Sequence, residues 1–171
     1  MWSSGFLHVD FSHLALNLFT LYVFSDVVLG RIGSFYFLLI YFSSLFFGNY
    51  FALKFHKNEP YYSAVGASGA VTGIVYSSIL LYPQMKLALI FFPIPFPAYI
   101  FGIGYLLYSI YGMQKSLGNT GHTAHFGGAI SGLLITILIN PMILIDETWI
   151  VVLLISPIVI YINSKKRIFK N

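Results

Sequence analysis

Apolar runs about as long as a bilayer is thick recur along this 171-residue chain, separated by charged or Pro/Gly breaks. They limit the fold more than any other feature, because half-buried elements of a soluble domain show stripes of period 2 or 3.6 instead. Only 8% of the residues are charged, about a third of the roughly 25% usual in soluble domains. A water-soluble globule could not cover such a surface with polar groups, so the bilayer is the solvent.

A helix crosses ~30 Å of hydrocarbon in about 20 residues, and six stretches approach that size. The first runs from His13 to Leu29 and ends at Gly30-Arg31-Ile32-Gly33; the second runs from Ser34 to Leu53 and ends in the polar loop Lys54 to Tyr62. The third, from Gly66 to Tyr82-Pro83, is rich in Gly, Ala and Ser, a composition suited to a helix buried among helices. Lys86 to Phe92 is apolar but short, and Pro93, Pro95 and Pro97 then forbid a continuous helix. A fourth helix is placed from Pro97 to Gly112, a fifth from Thr123 to Asn140, and a sixth from Thr148 to Asn163 with Pro157 inside it. The sixth is expected to be short, tilted or kinked.

The net charge is +4, and four of the nine basic residues, Lys165, Lys166, Arg167 and Lys170, lie in the last seven positions. This reads as a juxtamembrane tail near lipid headgroups rather than a nucleic-acid site. The absence of cysteine excludes disulfides, thiolate catalysis and Cys-ligated metal centres. Met1 to Asp10 carries no cationic stretch and no small-residue cleavage site, so no signal peptide is expected. Six spans put both termini on one side, together with Lys54, Lys57 and Lys115, and the positive-inside rule then favours a start facing inward.

Polar groups within membrane segments cost roughly 2.5–3.5 kcal/mol each and default to a functional role. His8, His13 and Asn17 stand at the head of the first helix, Ser68 at the head of the third, and His122 and His125 at the head of the fifth. Alternate helices run the same way, so the topology gathers these heads into one layer. His13 and Asn17, four apart, share a helix face. Ser68 lies where a loop turns into a helix, so its backbone N–H stands at the positive end of the helix dipole, where an oxyanion is stabilised. Gly69 and Gly73 form one small-residue face, and Gly128 and Gly132 form another below His125. If these faces pack together, His125 reaches Ser68.

A serine hydroxyl needs a base, and histidine is the usual one. No Asp or Glu is near His125 in sequence. The economical arrangement is a Ser-His dyad, with His13, Asn17 and the Ser68 N–H as the oxyanion hole. Each feature alone also fits simple packing: a Gly-x-Ser-Gly in a tight helix, an amide as interhelical glue. His8 is expected to be structural, bonding loop backbone, and His56 a solvated loop residue.

Together, Phe6-Leu7-His8, His13-x-x-x-Asn17, Gly66-Ala67-Ser68-Gly69 and Ala124-His125-Phe126-Gly127-Gly128 with Gly132 resemble the rhomboid family of intramembrane serine proteases over about residues 5 to 140. The resemblance implies a rhomboid-like helical bundle that cleaves transmembrane helices of other membrane proteins near the outer face, with no metal or cofactor. Carried over by position, Ser68 is the nucleophile, His125 the general base, and His13, Asn17 and the Ser68 N–H the oxyanion hole. His8, Gly66, Gly69, Gly128 and Gly132 are structural supports. The Phe91 to Pro97 stretch resembles the entry to the helix usually proposed as a lateral substrate gate. Residues 1–145 would form the membrane domain, truncated at its start because the family core begins with a further helix and loop, and 146–171 an additional C-terminal helix and basic tail. The resemblance puts the start of the chain outside, opposite to the charge rule, and implies a multi-pass protein of the plasma membrane.

Two residues depart from the family pattern. Thr72 stands one turn after the serine, where many members have an aromatic residue stacked on the base, so the imidazole needs another support. Leu29 stands where many members have Glu, which removes a loop-anchoring ion pair. Two other functions compete with proteolysis: a catalytically silent rhomboid-like protein binding membrane clients, and a metal-binding or transport protein using His8, His13, His122 and His125. Against the latter, no intramembrane carboxylate accompanies the histidines and no His-Glu-x-x-His signature occurs.

Overall fold

The computed structural model describes residues 2–63, 65–89, 92–115 and 121–168. A short 3-10 turn, Ser3–Phe6, precedes α1 (Phe11–Phe55), α2 (Ser68–Leu81), the strands β1 (Lys86–Leu89) and β2 (Phe92–Pro97), α3 (Ala98–Lys115), α4 (His122–Ile139), α5 (Ile143–Asp146) and α6 (Thr148–Ile168). The result is an all-α membrane bundle, as the apolar runs require.

α1 is two helices joined at Gly33, whose φ of 82° and ψ of 171° lie where residues with a Cβ are strained. The break falls at the expected Gly30–Gly33 boundary. The chain doubles back there: His13 in the first arm meets Gly66 at the start of α2, and the Ser78 hydroxyl near the end of α2 donates to Phe24 O at 2.7 Å. The second arm returns, so that Asn49 reaches back to Ser4 at 3.0 Å.

α2 and α4 run parallel and in register. Gly128 faces the Gly69 backbone, Gly132 faces the Gly73 backbone, and Thr136 donates to the Ser77 hydroxyl at 2.8 Å. Each pair is 59 positions apart (128−69, 132−73, 136−77), one helical turn after another. A methyl group on Gly132 would come within 2.7 Å of Gly73 Cα, and one on Gly128 within 2.8 Å of the Gly69 carbonyl carbon. The second arm of α1 joins the same seam, where a methyl group on Gly127 would lie 3.0 Å from Gly48 Cα. Lipid supplies no hydrophobic drive between helices, so this close backbone approach holds them by dispersion. Two hydroxyls inside the seam donate to carbonyls one turn back, Ser77 to Gly73 O and Thr136 to Gly132 O.

Outside the seam the surface is apolar: Phe11, Tyr22, Phe35, Leu138 and Ile145 are all exposed, as expected of side chains that face lipid. α1 and α4 are individually long and apolar enough to span a bilayer, while α2, with 14 residues and about 21 Å long, is shorter than the hydrocarbon and is buried among its neighbours.

Three details differ from the sequence expectation. Within the Lys86–Phe92 stretch, β1 (Lys86–Leu89) pairs antiparallel with β2, Lys86 opposite Pro97 and Leu87 opposite Phe96; a strand with one partner tolerates prolines because half of its N–H groups face outward. Phe91 of the expected gate stretch lies outside the described residues. α3 begins at Ala98 and runs on to Lys115 rather than Gly112. α6 extends beyond Asn163 to Ile168 despite Pro157; the Ser156 hydroxyl donates to Leu153 O at 3.3 Å, the carbonyl that Pro157 cannot serve. The basic positions Lys165, Lys166 and Arg167 fall in its last turns, and Lys170 lies outside the described residues.

The glycine seam generates a direct contrast. Gly128→Ala must separate two backbones and is expected to destabilise by about 1–3 kcal/mol. Gly104→Ala, with nothing within 4 Å of the added carbon, should be neutral or slightly stabilising. Thermal unfolding of both variants in detergent checks this.

Candidate functional site

The seam ends, at the head of α2 and α4, on two side chains. Ser68 opens α2 and His125 lies in the first turn of α4, with Ser68 Oγ 2.7 Å from His125 Nε2. Ser68 is half-buried and His125 buried. The Ser68 N–H is in the first turn of α2, whose N-cap Ala67 makes no side-chain capping bond. It is a helix-terminal donor available to an anion.

The loop entering α2 is held from the other side. Gly66 has φ of +123°, and a Cβ there would lie 2.7 Å from His13 Cε1 and 2.9 Å from Nε2. The His13 ring therefore stands against the backbone two residues before Ser68. Gly66 N–H donates to Ser4 O at 2.9 Å, tying the loop to the N-terminal turn. His13 is placed by Asp10, the N-cap of α1, which accepts from the His13 N–H at 2.7 Å and from the Ser12 hydroxyl at 2.6 Å. Asn17, buried one turn further on, donates its amide to His13 O at 3.1 Å. His13 is thus brought to the serine loop, while one Asn17 donor is engaged within its own helix.

His8 packs its ring against His13 edge-on at 5.1 Å, and its Nε2 is buried without a hydrogen-bond partner. Through that ring contact it packs against the histidine that faces the serine loop. Burial, and then the neighbouring His13, push its imidazole below the ordinary value of 6.5, so it is neutral at pH 7. His122 packs on Gly112 and stands edge-on to Tyr108 at 5.0 Å. Among the described residues no three His, Cys, Asp or Glu side chains gather closely enough to hold a metal ion.

Two contributors escaped the sequence. Tyr105 of α3 places its hydroxyl 2.8 Å from His125 Nδ1, the nitrogen away from Ser68. It supplies the support for the imidazole that Thr72 cannot give by stacking. The only sequence signal was that vacancy at position 72, which says nothing of where the replacement comes from. His56, expected to be a solvated loop residue, instead stacks on Tyr62 at 3.7 Å and 6°, pairs with Glu59 at 2.9 Å, and reaches Thr123 at 3.3 Å; Tyr62 also bonds Thr123 at 3.2 Å. This clasp ties the loop after α1 to the turn that carries His125.

The comparisons with known proteins agree on one family. The Rhomboid domain family model matches residues 1–141. Rhomboid protein 1, mitochondrial, from Saccharomyces cerevisiae is 29% identical over 134 residues, 77% of this chain and 39% of that protein. RHOMBOID-like protein 12, mitochondrial, from Arabidopsis thaliana is 30% identical over 142 residues, 74% of this chain and 42% of that protein. The human presenilin-associated rhomboid-like protein, mitochondrial, is 29% identical over 139 residues, 78% and 36% respectively. The chain spans about four tenths of the length of these relatives. No solved structure matches it.

The cap that positions His13 is pH-sensitive. Its bonds to Ser12 and to the His13 N–H hold the Asp10 carboxyl below the usual 3.8. A depressed folded-state value means that the cap is fully in place above about pH 4 and is lost as pH falls through the folded value. Hydrogen exchange at the His13 amide should therefore show protection at neutral pH that declines in acid, and Asp10→Ala should lack that protection at every pH.

Proposed function

This chain belongs to the rhomboid family, and we propose that it works as an intramembrane serine endopeptidase, hydrolysing peptide bonds in or near transmembrane helices of other membrane proteins. The observation that carries this is the 2.7 Å bond between Ser68 Oγ and His125 Nε2 at the head of two helices locked in register.

His125 Nε2 takes the Ser68 proton as Oγ attacks the substrate carbonyl carbon. Negative charge gathers on the former carbonyl oxygen, where the Ser68 N–H stabilises it together with His13 and the free donor of Asn17. His125 then returns the proton to the leaving amine, and the C–N bond breaks to leave an ester on Ser68. A water molecule, deprotonated by the same imidazole, hydrolyses that ester and restores the serine. No metal or cofactor takes part in this sequence. Residues at helix heads suit it, because hydrolysis needs water that the hydrocarbon interior does not supply.

The proposed partners are transmembrane protein substrates, with membrane lipids around the apolar exterior. The relatives named above are all mitochondrial by name, so the proposal places the chain in a cellular membrane without assigning the plasma membrane.

Labelling with a fluorophosphonate, which reacts with an activated serine, tests the site. The wild type is expected to label at Ser68, and Ser68→Ala and His125→Ala to lose labelling by about 10⁴-fold or more, since members of such a unit fail together. A folded wild type that stays unlabelled would favour the silent client-binding protein; undiminished labelling of either variant would overturn the dyad.

A further inference from the structure

We propose that Tyr105 is a positioning residue whose phenol accepts from His125 Nδ1–H and fixes the tautomer of His125, in place of a carboxylate. The proposal rests on Ser68 and His125 being nucleophile and base.

For Ser68 to be activated, its O–H must donate to His125 Nε2, 2.7 Å away. That nitrogen must then be bare, and the single proton of the neutral imidazole must sit on Nδ1. Nδ1–H faces the Tyr105 oxygen at 2.8 Å, so the phenol accepts. The other tautomer reverses both bonds: with the proton on Nε2, the imidazole donates to Ser68 Oγ and the phenol donates to Nδ1, and the serine is no longer set to give up its proton.

The bond from Nδ1–H to the phenol accounts for the residue types. A carboxylate beside Nδ1 would have to be desolvated in a buried site with no cation nearby, whereas a phenol accepts from Nδ1–H without a net charge. When His125 becomes imidazolium during attack, Nδ1–H still has the Tyr105 lone pair. A small residue at 72, its hydroxyl bonded to Ser68 O at 2.7 Å, leaves room for the Tyr105 ring, tilted 31° to the imidazole with centroids 5.5 Å apart.

The test uses the full chain in detergent, read by the rate of fluorophosphonate labelling and by the ¹⁵N signals of its histidine rings. Tyr105→Phe keeps the ring and is expected to label about tenfold more slowly, the scale of one hydrogen bond. His125 should show a protonated Nδ1 in the wild type and a shift towards protonated Nε2 in Tyr105→Phe. Wild-type labelling rate and unchanged ring signals in Tyr105→Phe, with Ser68→Ala silent, would overturn the inference and leave the protease standing. A wild type that never labels would instead remove the protease, and the ring signals would still decide: a wild-type His125 protonated on Nε2 contradicts the inference outright.

Discussion

Everything at the site hangs on the absence of side chains along one seam. Gly69 with Gly128 and Gly73 with Gly132 let the α2 and α4 backbones touch, and Ser77 with Thr136 closes the seam at its far end. A bilayer gives apolar helices no reason to prefer each other over lipid, so contact distance is the main currency of cohesion. The same seam sets the relative height of the two helices. Since three successive turns share one offset, the heads of α2 and α4 have no freedom to slide, and Ser68 and His125 meet within hydrogen-bond reach.

The remaining elements fix that pair from the flanks. The first arm of α1 brings His13 against Gly66, the N-terminal turn holds the Gly66 N–H, and the His56–Tyr62–Thr123 clasp secures the turn leading to His125. α3 contributes Tyr105. Polar atoms within the bundle are mostly consumed by carbonyls one turn back, as in Ser77, Ser78 and Thr136. Bonds that join the imidazole to other side chains therefore stand apart from this local bookkeeping.

What the sequence made legible follows the same physics. The glycine faces were readable because packing faces repeat every four residues, and the layer of polar helix heads followed from counting spans. The break at Gly33 was marked by its Gly-Arg-Ile-Gly surroundings. Tyr105 was not readable: α3 carries several tyrosines, and which one meets His125 depends on how α3 leans on α4. The continuity of α6 through Pro157 depended on Ser156 serving Leu153 O, a side-chain rotamer that composition does not reveal. The pairing of β1 with β2 was hidden because apolar residues alternating with prolines exclude a helix without specifying what replaces it.

Cleavage of a single-span substrate co-reconstituted with the purified chain in lipid vesicles, with the products identified by mass, decides whether the chain is a protease. Two fragments from a cut in or near the transmembrane helix are expected, formed by the wild type and absent with Ser68→Ala. The same fragments appearing with Ser68→Ala, or none from a folded wild type across a panel of helices that differ in how readily they unwind, would contradict the proposed function.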